Sequence, residues 1–239
     1  MGSSGQHWQL AVAPLKFRFR MTTRPVEICL YQDALCAWCY VASARIAALT
    51  REFGEAIRLK SRPYPVRIAE RIPAEAEIAS AVRDIELARR EPEGSRLTPE
   101  LWAGKDPPES RLWPLIAIEA AGLQGVAARS LFAEAMRRAA LEGGINVARA
   151  DVALELAGRI GLKMTRFAAA YHSPHTRQLV LEEHRSALER GIKRVPALII
   201  DRRWMISGLR EPSEYRRHLR ACLAKLGMST GGSSAPMLH

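Results

Sequence analysis

Strand-forming sequence in this chain is confined to two stretches, and a long helical stretch separates them. The first opens with Val26-Glu-Ile-Cys-Leu-Tyr-Gln32, a short β-branched and aromatic run with the character of a buried strand. Residues 37–53 follow without Gly or Pro. There Cys39, Ala42, Ile46, Leu49 and Phe53 recur at intervals of three and four, which predicts a helix with one face in the core. Ile57–Lys60 and the flanking Tyr64–Val66 predict a second strand interrupted by Pro63 and Pro65, at a sheet edge or an irregular exit, because proline brings no N–H to a ladder. Residues 74–190 then turn to Ala, Leu, Arg and Glu at helical spacing. Within them Thr98-Pro99-Glu100 and Ser173-Pro174 each predict an N-cap followed by proline at the first helical position. Pro107-Pro108, Gly143-Gly144 and Gly161 predict breaks between helices. Pro114 is expected near the first turns of a 110–122 helix or at a kink.

After Gly191 the pattern returns to strand. Val195-Pro196-Ala197-Leu198-Ile199-Ile200, a polar turn at Asp201 to Arg203 and Trp204-Met205-Ile206-Ser207 predict a β-hairpin. A last helix over about 211–226 puts Tyr215, Leu219, Cys222 and Leu226 on one face. The order strand, helix, strand, helical block, strand, strand, helix predicts an α/β domain built from residues 25–73 and 191–226, with 74–190 inserted as an all-α subdomain. At 239 residues and 48% hydrophobic content, the chain can bury a substantial core.

The termini and the charge exclude some roles. Residues 1–24 carry their basic residues after rather than before a short apolar run, a poor secretory signal, and are expected to form a poorly ordered leader. The Ser- and Gly-rich 227–239 is expected to be a flexible tail. No run of about 18 apolar residues is present, so no membrane span is expected. A net charge of +11 favours anionic partners in general. The arginines, however, are scattered as singles and pairs along helical segments without interleaved aromatics, which predicts solvated helix faces rather than a nucleic-acid surface.

Of the four cysteines, Cys29, Cys36, Cys39 and Cys222, only Cys36 and Cys39 are close in sequence. Residues three apart on a helical turn are neighbours, so a disulfide can close between them. Cys36 is expected at the helix N-terminus, where unpaired N–H groups and the macrodipole favour a thiolate, and Cys39 deeper on the core stripe. A bare Cys-x-x-Cys leaves redox, metal and two inert core thiols all open. A zinc site needs about four ligands, and neither Cys29 in its strand nor Cys222 on its core stripe supplies a second pair, so no metal is expected and both read as buried small hydrophobes. The histidines offer no clear catalytic base: His172, His175 and His184 lack the i, i+4 spacing of a helical metal pair and are expected on solvated surface or at helix caps.

A strand ending in a Cys-x-x-Cys helix, a helical insertion and a Val-Pro entering a hairpin resemble the DsbA family, over roughly residues 25–226. The resemblance is carried by Asp33-Ala34-Leu35-Cys36-Ala37-Trp38-Cys39-Tyr40, Val195-Pro196 and Ile206-Ser207-Gly208, and is greatest to the cytoplasmic FrnE-like branch. That branch borders the 2-hydroxychromene-2-carboxylate isomerases and kappa-class glutathione transferases. The resemblance implies a thioredoxin-like fold with N-terminal β-α-β and C-terminal β-β-α halves. It also implies a cis peptide before Pro196 and a Val195 backbone presented to an extended thiol- or disulfide-bearing peptide. Ala37 stands where the family usually has proline, and the hairpin turn lacks a glycine often found there.

The expected activity is thiol-disulfide exchange through a mixed disulfide at Cys36, with Cys39 resolving it and Ala37, Trp38, Val195 and Pro196 supporting the site. In a cytoplasmic setting the reductase or isomerase direction is expected, with glutathione as a possible co-substrate and no cofactor required. The alternative is a glutathione-dependent isomerase or transferase of the neighbouring branch, whose members carry serine at the position of Cys36.

Overall fold

The computed structural model describes residues 24–226. The leader expected over 1–24, save Arg24, and the tail expected over 227–239 lie outside the described residues. Strand β1 (Val26–Gln32) leads into helix α1 (Ala37–Phe53), and strand β2 (Ile57–Pro63) follows. Seven helices come next: α2 (Glu75–Ala88), α3 (Glu100–Ala103), α4 (Trp113–Gly122), α5 (Val126–Leu141), α6 (Ala150–Arg159), α7 (Met164–Tyr171) and α8 (Pro174–Glu189). The hairpin of β3 (Ala197–Ile200) and β4 (Trp204–Ser207) and the helix α9 (Pro212–Lys225) complete the order. The four strands lie side by side as β2-β1-β3-β4, with β1 and β2 parallel and the other two pairings antiparallel.

Alternation along β1 explains why its sequence reads as nearly continuous apolar residues. Val26, Ile28 and Leu30 pack with Ile46 and Leu49 of α1 and with Tyr215, Leu219 and Cys222 of α9. Cys29 and Tyr31 face the other side, against Tyr64, Ala187 of α8 and Ile192. A strand covered on both faces needs apolar side chains at every position. The helical block has its own core around Phe132, Met136, Phe167 and Tyr171, and this core is continuous with Ala34, Leu35, Ala37, Tyr40 and Val41 at the start of α1. The insertion therefore packs directly on the turn that carries the two cysteines.

The structure revises three local expectations. Strand β2 runs unbroken to Pro63, and Tyr64–Val66 is not strand. Its register places Pro63 opposite Gln32, the last residue of β1, so the ladder has no partner left beyond one bond from Tyr64 N–H to Gln32 O at 2.9 Å. Helix α3 begins at Glu100 with Pro99 at the cap, one residue later than the Thr98 cap implied, although the Thr98 hydroxyl accepts from Glu100 N–H at 3.4 Å. His184 is half-buried, its ring 4.7 Å from that of Tyr64, rather than at a cap or in open solvent, and burial lowers its pKa. His172 does cap α7, Ser173 caps α8 and Pro114 sits in the first turn of α4. The hairpin reverses through Asp201 and Arg202, both in the left-handed region (φ 49° and 57°), the geometry for which hairpins otherwise favour Asn or Gly.

Candidate active site

Cys36 is the N-cap of α1, with extended backbone (φ −99°, ψ 118°), and its carbonyl receives the first helical bond from Tyr40 N–H. Its sulfur accepts the backbone N–H of Cys39 at 3.3 Å, so one of the unpaired donors of the first turn points at Sγ. Cys36 is partly exposed, whereas Cys39 is 0% exposed, and both thiols are free. Burial first, and the adjacent Cys36 sulfur second, push the Cys39 thiol well above its ordinary value. Below the helix end lies Asp33, itself 0% exposed. Its carboxylate accepts from Leu35 N–H at 2.8 Å, Val66 N–H at 2.9 Å and Arg111 Nε at 2.9 Å. Arg111 comes from the residues before α4, and its guanidinium lies 5.2 Å from the centre of the Trp102 ring. Burial opposes its charge, but the Asp33 carboxylate and, after it, the two cysteines together outweigh that, so its pKa is raised.

Two further bonds tie the first turn of α1 to the insertion. The Trp38 indole N–H donates to Asp84 of α2 at 3.0 Å, and the Tyr40 hydroxyl donates to Glu142, just after α5, at 2.8 Å. Across from this turn, the Val195–Pro196 peptide is cis. Pro196 is buried and its carbonyl accepts from Gly208 N–H at 2.8 Å, while Val195 is half-exposed. A cleft of about 360 Å³ brings together Cys36, Ala37, Trp38 and Val195, walled by Trp102 and Arg111 and rimmed by Lys193 and Arg194. Cys39 lies one turn inside α1 and, like Pro196, does not line the cleft.

Four of the six residues expected at the site therefore share one cleft, and the other two sit directly behind it. Sequence reasoning missed Arg111, Asp84 and Glu142, and assigned Asp33 no role although it stands in the same motif. An acid placed three residues before a cysteine was a visible signal; its partner on a distant segment was not. No histidine lines the cleft, and among the described residues no group of three or more His, Cys, Asp or Glu is placed to hold a metal ion. No helix among them is long and apolar enough to cross a membrane. Chemically, the arrangement offers an accessible sulfur supported by a helix N-terminus, a second thiol one turn behind it, and a fixed cation nearby.

A family model for a DSBA-like thioredoxin domain matches residues 27–220. No curated protein matches the chain. A structure from Nitrosomonas europaea, described as a candidate protein disulfide isomerase, is 18% identical with a TM-score of 0.75, over 84% of this chain and 98% of that one. The cytosolic disulfide reductase DsbM from Pseudomonas aeruginosa, solved with GSH, is 20% identical with a TM-score of 0.63, over 83% of this chain and 99% of that one. A 2-hydroxychromene-2-carboxylate isomerase is 14% identical with a TM-score of 0.59, over 85% of this chain and 100% of that one. At these identities the likeness is one of fold.

Proposed function

This chain belongs to the DSBA-like thioredoxin domain family, and from that membership we propose that it is a protein thiol-disulfide oxidoreductase working through Cys36 and Cys39 in the reductase or isomerase direction. The observation that carries the reading is the asymmetry of the pair: Cys36 opens to the cleft at a helix N-terminus, and Cys39 is enclosed one turn behind it. The Cys36 thiolate attacks a substrate disulfide; the Cys36–substrate bond forms as the substrate's own S–S bond breaks, and the departing sulfur takes up a proton. In reduction, Cys39 then gives up its proton and attacks Cys36 Sγ. The Cys36–Cys39 disulfide forms, the substrate leaves as a dithiol, and two electrons have passed to it. In isomerisation, a second substrate thiol displaces Cys36 first, and no net electrons move. A low-molecular-weight thiol such as glutathione, oxidised in turn to its disulfide, returns the pair to the dithiol form.

The substrate we assign is an extended thiol- or disulfide-bearing peptide lying along Val195, with Ala37, Trp38 and Pro196 shaping the cleft. Within the family we place the chain in the FrnE-like cytoplasmic branch, where a thiol-rich milieu favours the reducing direction. Titration in glutathione buffers of graded potential, read by tryptophan fluorescence and thiol trapping, tests the reading. The expected result is a reversible two-electron transition that Cys36→Ser and Cys39→Ser each abolish. If no disulfide forms at any potential, the redox assignment fails and the glutathione-dependent isomerase reading replaces it.

A further inference from the structure

On the side of the sheet that carries Cys29 and Tyr31, beside α8, lies a second cavity of about 280 Å³, lined along β1 from Glu27 to Tyr31 and by neither Cys36 nor Cys39. Glu27, Cys29 and Tyr31 reach it from β1, and Lys60 and Arg62 from β2. Both carboxylates that line it are already engaged: Glu27 with Lys60 at 2.5 Å, and Glu183 of α8 with Arg62 at 2.6 Å. Three more guanidinium groups border the same space, those of Arg24, Arg190 and Arg202. Arg190 and Arg202 have no ion-pair partner among the described residues, and Arg190 makes only a 3.5 Å contact to Ser186 Oγ. Five cations thus face two carboxylates in a concave site. Cys29 and Tyr31, both buried, add neutral polar groups there, since burial raises both of their pKa values.

Arg202 shows that this arrangement is held at a cost. It sits in the left-handed region at φ 57°, where a Cβ crowds the neighbouring carbonyl and glycine or asparagine would relieve the turn. The turn is held over the start of β1 by a bond from Asp201 N–H to Glu27 O at 2.8 Å, and the Asp201 carboxylate pairs with Arg203 at 3.3 Å, leaving Arg202 at the cavity. Strained residues concentrate where local geometry serves a ligand. Guanidinium forks match phosphate oxygens in pairs, and the cavity's size suits a compact ligand.

We infer that this cavity is a binding site for a small phosphate-bearing ligand of the pyrophosphate or phosphomonoester class, held chiefly by Arg190 and Arg202 and separate from the thiol cleft. Isothermal titration of the full chain with inorganic pyrophosphate at low salt tests it. One saturable site is expected. Arg202→Gly is expected to weaken it about tenfold or more, as loss of a charge-assisted contact does, with a melting temperature equal to or above that of the wild type. Arg203→Ala, which removes the same charge from the same turn but outside the cavity, is expected to change the affinity less than twofold. Binding is expected to persist in Cys36→Ser, which separates this site from the redox assignment. Absence of saturable heat overturns the inference, and so does equal weakening by Arg203→Ala and Arg202→Gly. A single-stranded oligonucleotide that binds more tightly than pyrophosphate and is insensitive to Arg202→Gly also overturns it, by assigning the charge to a nucleic-acid backbone.

Discussion

Cys39 has the most perturbed environment of the four cysteines. Enclosure comes first and the Cys36 sulfur second, and together they favour its protonated form. Its folded-state pKa is therefore above the unfolded value of about 8.5. The stability it contributes is fully present below that value and is lost as pH rises through the folded one. Urea unfolding of the reduced protein between neutral and alkaline pH is expected to show falling stability that Cys39→Ala flattens. Equal slopes in the two proteins would mean that the thiol titrates alike folded and unfolded. The cysteine spacing and the core stripe at Ala42 and Ile46 announced a deeper second thiol in the sequence. Asp33 was in plain view beside it, but of the three donors that converge on its carboxylate only Leu35 N–H is local, and nothing near it in sequence points to Val66 or Arg111.

Within α1, the stripe Cys39, Ala42, Ile46 and Leu49 is buried as its spacing predicted. Arg45 departs from that logic: it is 3% exposed, although a basic residue on a helix reads as solvated. It pairs with Glu91 and Glu93 after α2, donates to the Arg210 carbonyl at 2.8 Å and approaches Glu211 at the start of α9. Breaking such a cluster is more damaging than an exposed pair would suggest, and because the glutamates keep some contact with water we expect Arg45→Ala to destabilise the fold by about 3 kcal/mol in chemical unfolding. Burial raises the Glu93 pKa, yet its bonds to Arg45 prevail and the net shift is downward. A depressed carboxylate contributes stability above its unfolded value of about 4.3 and loses it as pH falls through the folded value. Acid unfolding of Arg45→Met is accordingly expected to show a shallower loss below about pH 4.3 than the wild type.

At the scale of the whole molecule, three contacts dock the helical insertion on the turn that carries Cys36 and Cys39: Arg111 to Asp33, Asp84 to Trp38 and Glu142 to Tyr40. The first also fixes a cation in the wall of the cleft that Cys36 lines. Arg111→Met leaves the Asp33 carboxylate enclosed without its partner, and is expected to destabilise the fold by about 2–4 kcal/mol. It should also slow alkylation of Cys36 at neutral pH by about threefold or more through loss of the nearby positive charge, with Arg111→Lys recovering part of the rate. An unchanged alkylation rate in a folded Arg111→Met protein would confine Arg111 to a structural role. The presence of the strands, the helix start at Ser173, a Pro114 near a helix's first turns or at a kink, the hairpin and the deeper burial of Cys39 than Cys36 follow from the sequence alone, because periodicity of two or three to four, proline geometry and an i, i+3 spacing act among near neighbours. The end of β2 at Pro63, the burial of Arg45, the Asp33–Arg111 pair and the cationic cavity at Arg202 were decided only by tertiary structure. Each depends on which segments, far apart along the chain, are brought together by burial of apolar faces, and the charge on a side chain does not say which partner that packing will bring to it.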